Sequence, residues 1–489
     1  MNTVNKILEN TSFLLAGKAG TKLISLITVI YIARYLGNSG YGKYTFVFAF
    51  VSFFTLISEM GIHNILVREI SRSQEIARKL LGNAILISII LSFIALILAV
   101  ITINIMKYPV ETEKLVFIAA IGLLFGSLSN YGIMYEVNLN MKYPVLFGLL
   151  SRIFLLISVM IVVIYNLGLV WMVIFTVVSD ALPNVLMMIL SKNIILPEFK
   201  YDINLCKFIL RESLPLAMAT LFIAIYYRID VVMLSLLKGD VDVGIYGAAY
   251  RLTEAFTFIP ATFMVSIFPL MSRYHKESTD KLIFSYLKSF KFLFIIALPL
   301  AIGITLISDK IVILVYGNQF ENSVQLLQIL IWSTAIVFIN YPLAQLLIST
   351  NKQNIFATST AICAILNVVL NLILIPDYSY TGASIATVVT QLINSLIILH
   401  YRPKELLLSQ LLHEIRIPFF AAIFMAIFTF YSKYYFDLVF VIMISIILYF
   451  VLLYSLGGLD YEEKEIFLTL KISLQKYISR IFLKSTKKS

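Results

Sequence analysis

The chain has 489 residues, of which 60% are hydrophobic and only 13% charged, with a mean hydropathy of +0.93. A soluble domain carries about a quarter of its residues as Asp, Glu, Lys and Arg, and a soluble protein of this composition would expose large apolar patches and aggregate. The formal charge of +11 comes without a dense basic face interleaved with aromatics, so it does not point to nucleic acid.

A helix needs about 20 apolar residues to cross the hydrocarbon core. In chain order, such runs lie near 13–36, 44–64, 81–105, 115–137, 145–165 and 168–190. A second set lies near 212–236, 244–268, 290–308, 324–348, 355–375 and 382–400, and a final pair near 417–433 and 436–456. The first run follows MNTVNKILENTSF without a small-residue cleavage site, so it reads as a retained helix. Fourteen runs leave about 35 residues for each span with its loop, which excludes an inserted enzyme domain. The expected fold is all-α and polytopic, with about 14 transmembrane helices. Pro215, Pro260 and Pro299 interrupt the seventh, eighth and ninth runs, and Pro260, well inside its run, is the expected functional bend. Cys206 and Cys363 are too few for a disulfide framework, and Cys363 reads as small packing.

With the N-terminus in the cytoplasm, the inner segments hold 26 Lys and Arg and the outer loops 6, while the other 6 of the 38 lie within or at the ends of spans. Cytoplasmic connections carry the basic excess, so both termini are expected inside. An internal duplication is also visible. The first run leaves through LGNSGYGKY (36–44) and the seventh through LKGDVDVGIY (237–246), with Gly42 and Gly244, and Tyr44 and Tyr246, at one offset of 202. Two six-helix units in the same topology are parallel repeats, related by an axis along the membrane normal. They predict an N-lobe over residues 1–207 and a C-lobe over 208–403 around a central cavity. An additional helix pair (404–458) and a basic amphipathic tail (459–489) follow. In the tail, Ile466, Leu470, Leu474, Ile478 and Ile481 recur at helical spacing, as in a helix lying on an anionic membrane surface.

Charges inside a span are costly and usually face a bundle interior or a water-filled cavity. Here they are Lys18, Lys22, Arg34, Glu59, Arg152, Asp180, Glu212, Arg228, Asp230, Arg251 and Glu254, nine of them on the first, second, seventh and eighth spans. Lys18 and Lys22, four apart, share a helix face and need a compensating anion or carboxylate. Arg251 and Glu254, three apart, can pair, whereas Arg228 and Asp230, two apart, point different ways. Lys22, Arg228 and Arg251 are expected to line a cationic cavity, and Glu59, Asp230 and Glu254 are the candidate carboxylates for coupling to Na⁺ or H⁺. The alternative for this group, and chiefly for Lys18, Arg34 and Glu212 near span ends, is structural ion pairing or snorkelling. His63, His275, His400 and His413 show no ligand spacing, and there is no nucleotide-binding glycine loop, HExxH or CxxC. The sequence therefore predicts neither an enzyme nor a metal or cofactor site.

Three segments carry a resemblance. The opening SFLLAGKAGTKLISLITVIYIARYLGNSGYGKY, the segment GIHNILVREISRS (61–73), and LNVVLNLILIPDYSYTGASIATVVTQ (366–391) are similar to the polysaccharide transporters, or oligosaccharide flippases, of the multidrug/oligosaccharidyl-lipid/polysaccharide exporter superfamily. The departure is Ser384 where a small Ala is usual. The resemblance implies alternating-access transfer of a polyprenyl-(di)phosphate-linked oligosaccharide from the cytoplasmic to the outer leaflet of the cell membrane, with ion coupling. It also implies a head-group site of cavity cations, matched by helix and depth to Lys18, Lys22, Arg228 and Arg251. Expected partners are membrane lipids, the lipid-linked substrate, and a polysaccharide polymerase or glycosyltransferases. A multidrug or small-cation antiporter of the same superfamily and a lipid scramblase are the alternatives.

Overall fold

The computed structural model describes residues 3–138, 140–191 and 194–459, with 3–16 described by their backbone alone. The described chain is helical throughout. The first half holds α1 (Thr3–Glu59), α2 (Ile62–Arg72), α3 (Ala77–Ile105), α4 (Val110–Gly126), α5 (Ile133–Val137), α6 (Lys142–Tyr165) and α7 (Leu169–Ser191). The second holds α8 (Ile203–Leu237), α9 (Asp240–Glu254), α10 (Phe258–Glu277), α11 (Thr279–Tyr316), α12 (Ser323–Ser349) and α13 (Gln353–His400). Two further helices close the described chain, α14 (Leu408–Ser432) and α15 (Leu438–Ser455).

Twelve helical segments among the described residues are long and apolar enough to cross a membrane. The number differs from the fourteen apolar runs because two expected loops are kinks inside continuous helices. In α1 the break is Gly37, at φ 65°, ψ −179°; without a Cβ, glycine takes this conformation at little cost. In α13 the break is Ser379, at φ 46°, ψ −130°, whose hydroxyl donates to the Asp242 carboxylate. Two other expected spans are broken. The run near 115–137 becomes α4, a 3-10 turn over Ser127–Gly132, and α5. The run holding Pro260 divides into α9 and α10 at a 3-10 turn over Ala255–Thr257. Pro260 has no N–H for the Phe256 carbonyl and its ring crowds that group, so the bend falls just before the proline.

The helices are apolar on the outside. On α3, Ile90, Phe93, Ile97, Ile101 and Ile105 are exposed at spacings of three and four, while Ser88, Ser92, Ala95 and Ala99 are buried. Lipid is as apolar as Ile, so nothing drives these side chains inward, and small residues let helix backbones approach instead. At the other extreme α12 is the most enclosed of the twelve segments, which makes it the centre of its lobe, whereas α15 lies largely exposed on the outside.

The helices form two interacting lobes, α1–α7 and α8–α13. Helix α1 makes most of the junction, packing along α9 and also against α8 and α11. The last pair packs on α11, through α14 and α15. A Lys291–Glu414 ion pair of 3.4 Å and the Lys433 ammonium on the Leu306 carbonyl at 2.9 Å fasten it there. The expected amphipathic tail beyond Leu459 lies outside the described residues.

A cationic cavity between two helical lobes

Inter-lobe contacts lie at both ends of the junction. At the end bearing Gly37, the Arg34 guanidinium on α1 donates to the Leu314 and Val315 carbonyls on α11, the Val315 contact at 2.7 Å. Asn38 donates to the Gln319 carbonyl at 2.8 Å, and the Tyr108 hydroxyl to Ser235 at 2.9 Å. At the opposite end, Arg68 on α2 pairs with Glu212 on α8 at 2.9 Å. Beside it Gly61, at φ 72°, packs so closely on α8 that a Cβ would stand 2.9 Å from the Leu216 Cβ.

Between these ends lies a cavity of about 270 Å³, walled by α1, α6, α7, α8 and α9. Its charged lining is Arg152, Asp180, Arg228, Arg251 and Glu254. Arg152 and Asp180 satisfy each other at 3.0 Å. The other three do not balance: Arg228 reaches one oxygen of Glu254 at 3.2 Å and Arg251 the other at 3.0 Å. Two guanidiniums thus share one carboxylate, leaving a unit of positive charge and several N–H donors unsatisfied by it. The two arginine side chains are 36% and 34% exposed, so these donors face open volume and not packed protein. A guanidinium fork matches carboxylate or phosphate oxygens in pairs, and the arrangement is suited to hold an anion between the lobes. Local folding puts the three groups together. Arg251 and Glu254 occupy the last turn of α9, one helical turn apart, and the break before Pro260 ends the helix there.

The other sequence-derived candidates go elsewhere. Lys18 is exposed, within electrostatic reach of Glu136. Lys22 lies in a separate, largely apolar groove with Leu23, Leu26, Leu252 and Phe256, although still within electrostatic reach of Glu254. Glu59 lines a cavity of about 200 Å³ in the first lobe with His63 and Asn130, where His63 meets Glu136 at 2.8 Å. Asp230 is 2% exposed and lines an adjoining cavity that also holds Arg228 and Glu254. It accepts from the Tyr246 hydroxyl, from the Val231 amide at 3.1 Å and from Thr387 at 3.4 Å. Of the three candidate coupling acids, Glu59 thus lies apart in the first lobe, while Asp230 and Glu254 line one cavity of the second.

Sequence reasoning missed the tyrosines. Tyr41 and Tyr44 stack at 6.4 Å, and Tyr44 bonds Thr176 on α7 at 3.0 Å. Tyr246 and Tyr250 stack at 5.7 Å, and Tyr246 meets Thr387 on α13 at 3.3 Å. The offset of 202 between Tyr44 and Tyr246 was the available signal.

The sequence profile of the polysaccharide biosynthesis protein family matches residues 7–275, more than half of the chain, and that of the MatE family matches residues 215–373. A curated relative, the probable low-salt glycan biosynthesis flippase Agl15 of Haloferax volcanii, is 27% identical over 177 residues. That match covers 36% of this chain and spans 38% of the relative's length. Among solved structures, the lipid II flippase MurJ in an inward closed conformation superposes with a TM-score of 0.74 at 17% identity, covering 90% of this chain and 97% of that one. An inward-facing multidrug resistance MATE transporter superposes at 0.62 and 17% identity, covering 78% and 93%. A MOP superfamily transporter from Pyrococcus furiosus superposes at 0.54 and 16%, covering 81% and 95%. At these identities the solved structures establish the fold alone, an all-α multi-pass membrane architecture. By its sequence, the chain belongs to the polysaccharide biosynthesis protein family.

Proposed function

We propose that the protein is a flippase for polyprenyl-(di)phosphate-linked oligosaccharides, working by alternating access of the central cavity to the two membrane faces. The observation that carries this reading is the pair of guanidiniums on one carboxylate, Arg228 and Arg251 on Glu254. Taking a diphosphate through hydrocarbon costs on the order of tens of kcal/mol; a cavity with surplus positive charge replaces the lost hydration while the prenyl chain stays in lipid. The same surplus disfavours a cationic drug. Lys22, in its own groove but within electrostatic reach of Glu254, and Lys18 extend the positive charge along α1. The relative from Haloferax volcanii, named as a probable glycan biosynthesis flippase, agrees in substrate class.

The finer topology belongs to the same proposal. Counting α1 and α13 each as two spans, divided at Gly37 and Ser379, turns twelve segments into fourteen, in two six-helix repeats with the lobes divided near 207/208. The additional pair covers 404–458. Both termini then lie in the cytoplasm of a cell whose plasma membrane holds the protein, the Arg68–Glu212 pair faces inward, and Gly37 faces outward. Na⁺ or H⁺ coupling falls to Glu59, Asp230 and Glu254, of which Asp230 is the most enclosed. A polysaccharide polymerase or glycosyltransferase is the natural partner of such a flippase.

The test is reconstitution of the full chain in vesicles, with a fluorescent polyprenyl-diphospho-sugar and a cationic dye assayed side by side. Translocation of the anionic lipid alone supports the flippase; transport of the dye alone would overturn it.

A further inference from the structure

The central cavity continues past its charges. Arg228, Tyr250 and Glu254 also line a second cavity of about 300 Å³ that lies inside the second lobe, among α8, α9, α12 and α13. A third, of about 310 Å³, shares Tyr226, Tyr227, Tyr341 and Gln391 with it. Together these form a chamber in the size range of small-molecule sites, with its mouth at Arg228.

The lining is unusual for the inside of a membrane bundle. Four tyrosines, 226, 227, 250 and 341, line it. From α13, Thr387, Thr390, Gln391 and Asn394 recur at three and four, so they form one polar stripe along the wall. Asn340 and Asn394, 7% and 6% exposed, each carry one polar atom, Nδ2 and Oδ1, with no hydrogen-bond partner among the described residues; both atoms are enclosed behind the chamber surface. Leaving buried polar atoms unpaired costs about 1–3 kcal/mol each, a cost that a turn of either amide toward a polar occupant would recover. The charged groups lining the chamber are Arg228 and Glu254 at its mouth and Asp230, which already accepts three hydrogen bonds.

An occupant must therefore be uncharged, rich in both donors and acceptors, and have apolar faces that lie against aromatic rings. A neutral pyranose fits each requirement: its hydroxyls suit amides and threonines, and its C–H faces suit the electron-rich face of a tyrosine ring. A second phosphate would find no cation inside, and a prenyl chain would strip the polar stripe of water without replacing it. The sugar bonded directly to the lipid phosphate cannot lie far from the cations that hold the phosphate, and the chamber opens beside one of them.

Building on the flippase reading, we propose that this chamber is the subsite for the first sugar of the lipid-linked glycan, an uncharged hexose or N-acetylhexosamine. Gln391, Asn340 and Asn394 read its polar groups, and Tyr226, Tyr227 and Tyr341 form the walls against its ring. The chamber thereby sets which glycans are accepted, while Arg228 and Arg251 hold any polyprenyl diphosphate.

The experiment measures binding of two probes to the full chain in nanodiscs, polyprenyl diphosphate without sugar and the same lipid carrying one N-acetylglucosamine. Wild-type protein is expected to bind the sugar-bearing lipid at least tenfold more tightly. Gln391→Leu, and separately the milder Asn394→Ser, should remove roughly three- to tenfold of that preference, the worth of one or two hydrogen bonds. Affinity for the sugar-free lipid should change less than twofold. Equal wild-type affinities, or a parallel loss for both probes in both variants, would overturn the subsite while leaving the flippase reading intact. Binding of neither probe would sink both. A Gln391→Leu effect confined to Na⁺ or H⁺ dependence, with sugar preference unchanged, would assign the chamber to the coupling ion and overturn the proposal.

Discussion

Gly42 and Gly244 are reciprocal partners across the lobe junction. A Cβ on Gly42 would collide with the carbonyl oxygen of Asp240, and a Cβ on Gly244 with the carbonyl oxygen of Asn38. Asn38 and Asp240 are themselves 202 residues apart, as are Gly42 and Gly244, so each turn accepts its own counterpart. The backbones agree as well: Gly37 has φ 65°, ψ −179° and Gly239, at the same offset, φ 95°, ψ −172°. The two turns therefore meet about a pseudo-two-fold axis, and glycine at both positions is what lets the helices touch.

This contact predicts a gate. Gly42→Ala or Gly244→Ala should prevent the two turns from closing, at a cost of about 1–3 kcal/mol, which shifts the open and closed populations by roughly five- to 150-fold. Each variant should leave that face accessible to a thiol reagent directed at a cysteine placed at Ser25 in the cavity, and should slow transport. Gly148→Ala, where a Cβ meets open space, is the control. Unchanged labelling in both variants would show that the crossing does not have to close.

The opposite face should respond to charge. Reversing Arg68→Glu alone places two acids together with Glu212 and should open that face. Adding Glu212→Arg restores attraction and should restore closure, read by the same labelling from the other side. Closure unaffected by the single reversal would remove the pair from the gate.

For the head-group site, Arg228→Gln and Arg251→Gln should each weaken binding of polyprenyl diphosphate by about ten- to hundredfold, the worth of a charge-assisted hydrogen bond. Arg228→Lys should keep part of the affinity, because a lysine offers a point charge without the paired geometry. A structural role predicts the reverse, with low folded yield and near-normal binding per folded molecule, so yield and binding are measured together.

On the proposed head-group site, Glu254 competes with the substrate for both arginines, which it already pairs. Glu254→Gln should therefore tighten head-group binding several-fold, since the two guanidiniums are freed, and at the same time lower turnover by slowing release. Weaker binding in this variant would mean that Glu254 positions the arginines and does not compete with the lipid.

Orientation is checked by single cysteines. Residues placed at Ser73 and Ser278 should be modified by a membrane-impermeant reagent only after the cell is opened. Labelling of either in intact cells would reverse the assigned topology.

Much of this architecture was legible in the chain itself because lipid imposes a local rule. Every spanning segment must be an apolar run of sufficient length with its backbone bonds satisfied internally, so the all-α multi-pass fold, most of the apolar segments and the likeness of the Gly42 and Gly244 turns could be read directly, although the fourteen runs emerge as twelve continuous segments among the described residues. The Arg251–Glu254 pair was also readable, being three apart on one helix. Only the tertiary structure decided that Arg228 joins them, since the rotation of α8 against α9 is set by packing and not by spacing. The same holds for Lys22, which the turn of α1 carries into an apolar groove, and for the last helix pair, which docks on α11. The polar chamber of the second lobe was hidden for another reason: Thr387, Thr390, Gln391 and Asn394 are neutral residues in an apolar run, where hydroxyls and amides ordinarily serve helix packing. Their common face became a wall only when three other helices left a space opposite it.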